Sequence, residues 1–332
     1  MKRFACKLGL FAALIFLIDA GWSYLLDRGR PADYAAFVDS KREFDRLTQL
    51  DILFLGDSQT ADGFVPAVFR ERLGASAFNF GVYQLSPFEG YYLLRDLVDR
   101  LEQPPALVVL GTDAQMFRYR VAVTSPVNLI PLFFESSNLG ALTEAGRKKY
   151  LFPGLLRWAV TGQVPGETRR QIQLVENGYL QNPKHYSDAS QFDCDKDRGF
   201  FSETLVAQQT EFFHKTLAYL AERNIPCVIA NLPMHPQFLA GMQAKPAYQE
   251  FQRELENMAR TYRVPVFNRD HSLLLADFQD EDFLDGDHLC YAGARKFSAA
   301  FADYLEQTGF NFHSNQVAAV QPVSGAPLTE RK

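Results

Sequence analysis

Short apolar runs alternate with segments of helical periodicity along most of this chain. The apolar runs predict five strands, at residues 52–55, 77–80, 106–110, 225–230 and 264–267. Apolar residues at helical spacing predict helices at residues 66–73, 87–101, 202–223, 248–262 and 291–306. Strands that alternate with helices favour parallel pairing. The sequence therefore predicts an α/β fold, a three-layer α/β/α sandwich around a mainly parallel five-stranded sheet.

The regular alternation stops after the third strand. From about residue 112 to residue 199 the chain contains many Pro, Gly, Asn and aromatic residues and has no clear period. Because so long a structureless loop is uncommon in a compact domain, we interpret it as an insertion with short helices, placed where a lid or a substrate-binding region would lie. The domain itself is expected at residues 51–309, followed by a flexible tail at residues 310–332.

The N-terminus has the pattern of a targeting segment. Basic residues at positions 2, 3 and 7 precede a mostly apolar stretch at residues 8–26. Its length approaches the roughly 20 residues of a membrane span, and no small-residue cleavage site follows it. We predict a signal anchor within residues 1–30, with cleavage left open by Asp19, and a helical linker at residues 31–50. The basic residues favour a body outside the cytoplasm, in the periplasm or at the cell surface.

The composition limits which partners, ligands and cofactors we expect for this protein. The formal net charge is −5, so the chain has no general electrostatic footprint for nucleic acid. The 29 Phe residues indicate a Phe-rich core, with a sugar- or acyl-binding groove as the alternative. The chain contains no Cys-x-x-Cys pair and no cluster with metal-ligand spacing. We therefore expect no metal and no organic cofactor.

Two short motifs carry candidate chemistry. Ser58 follows the first predicted strand directly, and Asp285 precedes His288 by three residues just before the last predicted helix. A serine becomes a nucleophile when a histidine accepts its proton, and a carboxylate orients that histidine. Because loops gather at the carboxyl ends of parallel strands, the N–H groups of Ser58 and Gly81 are candidate oxyanion donors.

Other residues near these motifs leave alternatives open. Asp287 competes with Asp285 for the orienting role, and it could instead cap the last helix. His235 follows the fourth predicted strand and is a candidate for substrate contact, although an ordinary histidine in a proline-rich turn fits equally well. Asp113 follows the third predicted strand at the same expected edge and is also a candidate for substrate contact.

The motifs together resemble those of the SGNH (GDSL-like) hydrolase superfamily. Gly56-Asp57-Ser58 is similar to its first block, Asn79-Phe80-Gly81 to its glycine block, and Asp285-Gly286-Asp287-His288 to its closing Asp-x-x-His block, within residues 51–306. The resemblance implies Ser58 as nucleophile, His288 as general base and Asp285 as the orienting carboxylate. It also implies Ser58 N–H and Gly81 N–H as part of the oxyanion hole.

One block departs from the family pattern. Where the family has Gly-x-Asn-Asp, this chain has Gly111-Thr112-Asp113-Ala114, and an ionised Asp113 cannot donate a hydrogen bond to an oxyanion. The chain in this respect resembles a divergent membrane-anchored branch that includes alginate O-acetylation proteins and a lipoteichoic-acid D-alanylation protein.

That resemblance implies a serine-dependent esterase or O-acyltransferase acting on a cell-envelope or exported polysaccharide. The partners it implies are an acylated saccharide or other ester, the membrane, and a membrane protein that donates acyl groups. The alternative is a non-catalytic glycan-binding or scaffold protein on a decayed SGNH fold, and Asp113 is the residue that supports it.

Overall fold

The computed structural model describes residues 39–119, 173–181, 201–268, 271, 277–310 and 312. The predicted signal anchor, residues 31–38 of the predicted linker, most of the predicted insertion and nearly all of the predicted tail lie outside the described residues. Within the described ranges, none of the helices combines the length and the apolar character that a membrane crossing needs.

Within the described residues, seven strands form two sheets. The strands are β1 (Ile52–Gly56), β2 (Ala77–Gly81), β3 (Leu107–Thr112), β4 (Gln173–Leu174), β5 (Leu180–Gln181), β6 (Cys227–Asn231) and β7 (Val266–Phe267). The main sheet has the order β2-β1-β3-β6-β7, and each pair of neighbours is parallel. This confirms the predicted five-stranded parallel sheet. β4 and β5 pair antiparallel in a separate hairpin.

Seven helices are bounded within the described residues. They are α1 (Ser58–Gly63), α2 (Pro66–Leu73), α3 (Pro87–Arg100), α4 (Ala207–Glu222), α5 (Pro236–Gln243), α6 (Pro246–Tyr262) and α7 (Tyr291–Gln307). The prediction missed α1 and α5. It was also wrong about the start of α4, because the N-cap is Val206 rather than Ser202. The other predicted helices differ from the structure by two residues or fewer at each end.

The alternating side chains of β1 divide the core into two layers. Leu53 and Leu55 pack in a cluster with apolar residues of α3, α4 and α6, whereas Ile52 and Phe54 pack in a second cluster with residues of α2 and α7. Helices therefore cover both faces of the sheet, as the sandwich prediction requires. All but one of the twelve largest fully buried side chains are Phe, which confirms the Phe-rich core.

The hairpin of β4 and β5 covers the open edge of the main sheet beside β2. The Asn79 N–H donates to the carbonyl oxygen of Asn177 in the hairpin turn at 2.9 Å. Gly178 has a φ of +79°, and a Cβ there would lie 2.0 Å from the Asn79 carbonyl oxygen, so only glycine fits this close approach. Glu43 accepts hydrogen bonds from the N–H groups of Asn177 and Gly178 and holds the turn in place. The described part of the insertion thus protects the sheet edge.

Candidate active site

A sharp turn from β1 into α1 brings Ser58 to the carboxyl edge of the sheet. Asp57 is the N-cap of α1, and its side chain accepts a hydrogen bond from the Gln59 N–H at 3.1 Å. A Cβ on Gly56 would lie 2.0 Å from Thr60 Oγ1 and 2.7 Å from the Gly111 carbonyl oxygen, so the close packing of α1 and β3 at this point requires a glycine. Ser58 is the first residue of the helix, and it is only partly buried.

The segment that carries the histidine is held as a small closed loop. Phe283 and Leu289 form an antiparallel bridge across its ends, and the Leu284 N–H donates to the His288 carbonyl oxygen at 2.8 Å. Inside the loop, Asp285 Oδ1 accepts from the N–H groups of Asp287 at 3.1 Å and His288 at 3.0 Å. The loop's own backbone therefore fixes the Asp285 carboxylate beside the imidazole.

The structure brings Ser58, His288 and Asp285 into one hydrogen-bonded chain. His288 Nε2 lies 2.8 Å from Ser58 Oγ, and His288 Nδ1 lies 2.7 Å from Asp285 Oδ1. Both distances are within hydrogen-bond range. When Nδ1 carries the proton and donates it to Asp285, Nε2 is free to accept the proton of the Ser58 hydroxyl.

The charges around His288 favour its protonated form. Burial lowers the pKa of His288, but the Asp285 and Asp287 carboxylates outweigh that effect and raise it well above its ordinary value. Burial raises the pKa of Asp285, yet the His288 charge and the hydrogen bonds to Asp285 dominate and hold it well below its usual range. Asp285 is therefore ionised and can stabilise the imidazolium that forms when His288 accepts a proton.

Asp287 is a second carboxylate against the same imidazole. Its Oδ1 lies 3.2 Å from His288 Nδ1, and its Oδ2 accepts a hydrogen bond from Gln115 Nε2 at 2.6 Å. The expected role of Asp287 as a helix cap is wrong, because Cys290 is the N-cap of α7 and makes no side-chain cap bond. The side chain turns toward His288 and the loop after β3 instead.

Asp113 is enclosed in the same polar cluster. Its carboxylate accepts hydrogen bonds from Gln59 Nε2 and, at 2.8 Å, from the Met116 N–H. Burial is the main cause that raises the pKa of Asp113 to about 6, and the Asp287 charge adds to it. Burial, with the Asp113 charge next, also raises the pKa of Asp57 well above its usual range. Asp113 is 1% exposed, so its described contacts are with the protein interior rather than with a substrate surface.

The structure corrects the expectation for Gly81. Its N–H donates to Asn79 Oδ1 at 2.9 Å and is therefore not free to bind an oxyanion. A Cβ on Gly81 would lie 2.2 Å from the Ala61 nitrogen, so the glycine is needed for the close packing of β2 against α1. Asn79 completes this junction, because its Nδ2 donates to the carbonyl oxygens of Thr60 and Phe64, both at 2.8 Å.

His235 contacts the loop that carries His288. Its ring Nδ1 accepts from the Gln237 N–H as the N-cap of α5, and its Nε2 lies 3.1 Å from Asp280 Oδ1. Its backbone N–H donates to the Gly286 carbonyl oxygen at 2.9 Å. These contacts join α5 to the loop that carries His288. A direct substrate contact by His235 stays a prediction.

Two glutamines of the site have no counterpart among the sequence predictions. Gln59 Nε2 lies between two carboxylates, donating to Asp113 and, at 3.5 Å, to Asp287, and Gln115 binds Asp287 from the loop after β3. Isolated glutamines give no periodic signal. The position of Gln59, next to Ser58 at a strand end, is the one sequence feature that could have indicated its role.

The geometry of the acidic groups also bears on metal binding. Asp285, Asp287 and His288 each offer a ligand atom, and these atoms lie within 4.8 Å of one another. Two of the three contacts are already short hydrogen bonds or ion pairs between the imidazole and a carboxylate, at 2.7 Å and 3.2 Å. The observed contacts are those of an imidazole that is oriented by two carboxylates.

The chain was compared with protein-family models, with curated protein sequences and with solved structures. One protein-family model matches residues 200–309, the part of the chain that contains His288 and Asp285. No curated protein sequence matches significantly.

The chain is similar to several solved structures of SGNH or GDSL-type esterases and acylhydrolases. A GDSL-like lipase from Bacteroides thetaiotaomicron is 12% identical, with a TM-score of 0.42, 82% of this chain covered and 98% of that one. A lipase/acylhydrolase from Enterococcus faecalis is 11% identical, with a TM-score of 0.40 and coverages of 78% and 96%. The SGNH-hydrolase family esterase AlinE4 is 15% identical, with a TM-score of 0.36 and coverages of 78% and 96%. At these low identities and TM-scores, the case for a catalytic site rests on the geometry of Ser58, His288 and Asp285.

Proposed function

We propose that this protein performs serine-dependent ester chemistry, as an ester hydrolase or an O-acyltransferase. The observation that carries the proposal is the continuous chain of hydrogen bonds from Ser58 Oγ through the His288 ring to Asp285, with contacts of 2.8 Å and 2.7 Å. A partly exposed serine in such a chain has the base and the orienting carboxylate that acyl transfer needs.

The reaction begins when His288 Nε2 accepts the proton of Ser58 as Oγ attacks the ester carbonyl carbon. The Ser58 N–H stabilises the negative charge that develops on the carbonyl oxygen by donating a hydrogen bond to it. This N–H is the first amide of α1 and so has no acceptor within the helix. The protonated His288 then gives its proton to the departing alcohol, and an acyl-enzyme ester on Ser58 remains. A second hydroxyl compound, activated by the same imidazole, accepts the acyl group and releases Ser58.

The identity of the acceptor decides between the two activities. Water as acceptor makes the protein an esterase, and a sugar hydroxyl makes it an O-acyltransferase. The predicted N-terminal anchor and the long predicted insertion favour an acylated saccharide of the cell envelope or an exported polysaccharide as substrate, with a membrane protein as acyl donor in the transfer case. An extracytoplasmic body tethered by the anchor belongs to the same proposal.

Turnover of a chromogenic acetyl ester tests the proposal, with wild type compared against Ser58→Ala. Ser76→Ala is the matched control, since Ser76 is an exposed serine just before β2, at the opposite end of the strands. We expect Ser58→Ala to lose activity by at least about a thousandfold and Ser76→Ala to keep it. Equal activity of the three proteins would contradict the proposal.

A transferase with a demanding donor could be slow on a simple acetyl ester. Reaction with a serine-reactive phosphonate, read by mass spectrometry, covers that case because it needs an activated serine and no acceptor. Folded wild-type protein that shows neither turnover nor labelling at Ser58 would favour the non-catalytic scaffold alternative.

A further inference from the structure

We propose that Asp287 is a second orienting carboxylate for the imidazole of His288, held against the ring by the side-chain amide of Gln115. The proposal rests on the proposed acyl-transfer function for its catalytic consequence. It goes beyond the three-residue chain in assigning a positioning role to two further residues.

Two carboxylates lie beside the same nitrogen of the His288 ring. Asp285 Oδ1 lies 2.7 Å and Asp287 Oδ1 lies 3.2 Å from the same nitrogen, His288 Nδ1. Each side chain is only 20% exposed and that of His288 is 13% exposed, so water screens these interactions weakly. Two carboxylates beside Nδ1 favour the proton on that nitrogen, which leaves Nε2 as the acceptor for Ser58.

Asp287 is held by residues from a different part of the chain. Gln115 Nε2 donates to Asp287 Oδ2 at 2.6 Å across 172 positions of sequence. Gln59 Nε2 adds a longer contact of 3.5 Å to the same oxygen. Asp287 therefore ties the histidine loop to the loop after β3 and to the residue that follows the nucleophile. A side chain held in this way has little freedom to leave the ring.

The contacts of Asp287 differ from those of the neighbouring carboxylates. Asp285 is fixed by backbone amides of its own loop, whereas Asp287 is bound by the side-chain amides of Gln115, in the loop after β3, and Gln59, in α1. Asp57 and Asp113 also act on His288 electrostatically, from the loops after β1 and β3, but neither forms a described ion pair with the ring. Asp287 is thus the carboxylate that links ring orientation to the loops around the nucleophile.

The test measures the pKa of His288 by NMR in the wild-type protein, Asp287→Asn and Asp280→Asn. Asp280 is the matched control because it lies near the same loop, is 88% exposed and contacts His235 rather than His288. We expect Asp287→Asn to lower the pKa of His288 by about one unit or more, since it removes a carboxylate within 4 Å. The control should move it by only a few tenths. An unchanged value in Asp287→Asn, or an equal shift in both variants, would overturn the proposal.

Kinetics give the second readout. The acid limb of the pH profile of kcat/KM should move to lower pH in Asp287→Asn by the same amount as the NMR shift. On the plateau kcat should fall with KM unchanged, and Asp287→Glu should restore part of the loss. If Asp287→Asn does not fold, Gln115→Met releases the carboxylate from its amide, and we expect it to lower kcat with KM unchanged. A kcat equal to that of wild type would overturn the role of Gln115.

The two proposals can fail separately. If Ser58→Ala keeps wild-type activity but the pKa of His288 still falls in Asp287→Asn, the proposed ester chemistry is refuted and the contact of Asp287 with the ring stands. If Ser58→Ala is inactive but Asp287→Asn leaves both the pKa and kcat unchanged, the ester chemistry stands and the positioning role of Asp287 is refuted.

Discussion

Replacing Asp113 with asparagine should change how the stability of the protein depends on pH. Burial raises the pKa of Asp113 from 3.8 to about 6. Between pH 4 and pH 6 the folded protein therefore holds a proton on Asp113 that the unfolded chain has lost. Stability rises with pH only where the unfolded state binds more protons, so here the free energy of unfolding of wild type decreases as pH rises. A shift of about two units at 1.36 kcal/mol each gives a loss of roughly 3 kcal/mol by pH 7.

Asp113→Asn has no such proton to lose, and its oxygen can still accept from the Met116 N–H. The difference in unfolding free energy between variant and wild type should therefore grow in favour of the variant by roughly 3 kcal/mol from pH 4 to pH 7. Urea unfolding followed by far-UV circular dichroism at several pH values measures it. Asp277→Asn, at an exposed carboxyl, is the control and should show a nearly constant difference. A constant difference for Asp113→Asn as well would refute the burial argument.

Three further predictions concern the site and its support. The pH profile of kcat/KM should reach half-maximum above the ordinary histidine value of about 6.5, because the raised pKa of His288 keeps the base protonated, and so inactive, up to a higher pH; half-maximum at or below 6.5 would contradict this. Asp285→Asn should lower kcat by less than the roughly 10⁴-fold loss seen where one carboxylate alone orients a histidine. The double variant Asp285→Asn/Asp287→Asn should have a lower kcat still, and single-turnover rates would measure both losses. Gly81→Ala should lower the urea midpoint because its Cβ would lie 2.2 Å from the backbone of α1. Gly90→Ala, in α3, should leave the midpoint equal or higher, because its Cβ would make only an ordinary contact of 3.6 Å with the Leu85 side chain.

The main sheet could be predicted because most of its strands are recognisable from their local sequence. β1, β2, β3 and β6 are short apolar runs that are buried along their whole length, and each predicted run overlaps the observed strand. The same logic failed for α1, which has six residues, most of them polar or small, and makes no apolar stripe. The sequence feature that marks the start of α1 is its N-cap residue Asp57, whose side chain accepts a hydrogen bond from the Gln59 N–H.

The candidate site was predictable only where a motif marks it. Ser58 and the Asp285–His288 pair occur in recognisable patterns, and the fold places them within hydrogen-bond distance across 230 positions of sequence. Gly81 shows the limit of such reasoning, since its glycine is required by packing and its N–H is bound to Asn79. Gln115 was not predictable, because its contact with Asp287 depends on the three-dimensional meeting of two loops.

The most direct test of the catalytic chain is the labelling of Ser58 by a serine-reactive phosphonate, with the modified peptide identified by mass spectrometry. Wild type should be labelled at Ser58, Ser58→Ala should not be labelled there, and His288→Ala should react at least about a hundredfold more slowly because the serine loses its base. Labelling of Ser58 at equal rates in wild type and His288→Ala, or no labelling of folded wild type, would contradict the proposed chain of Ser58, His288 and Asp285.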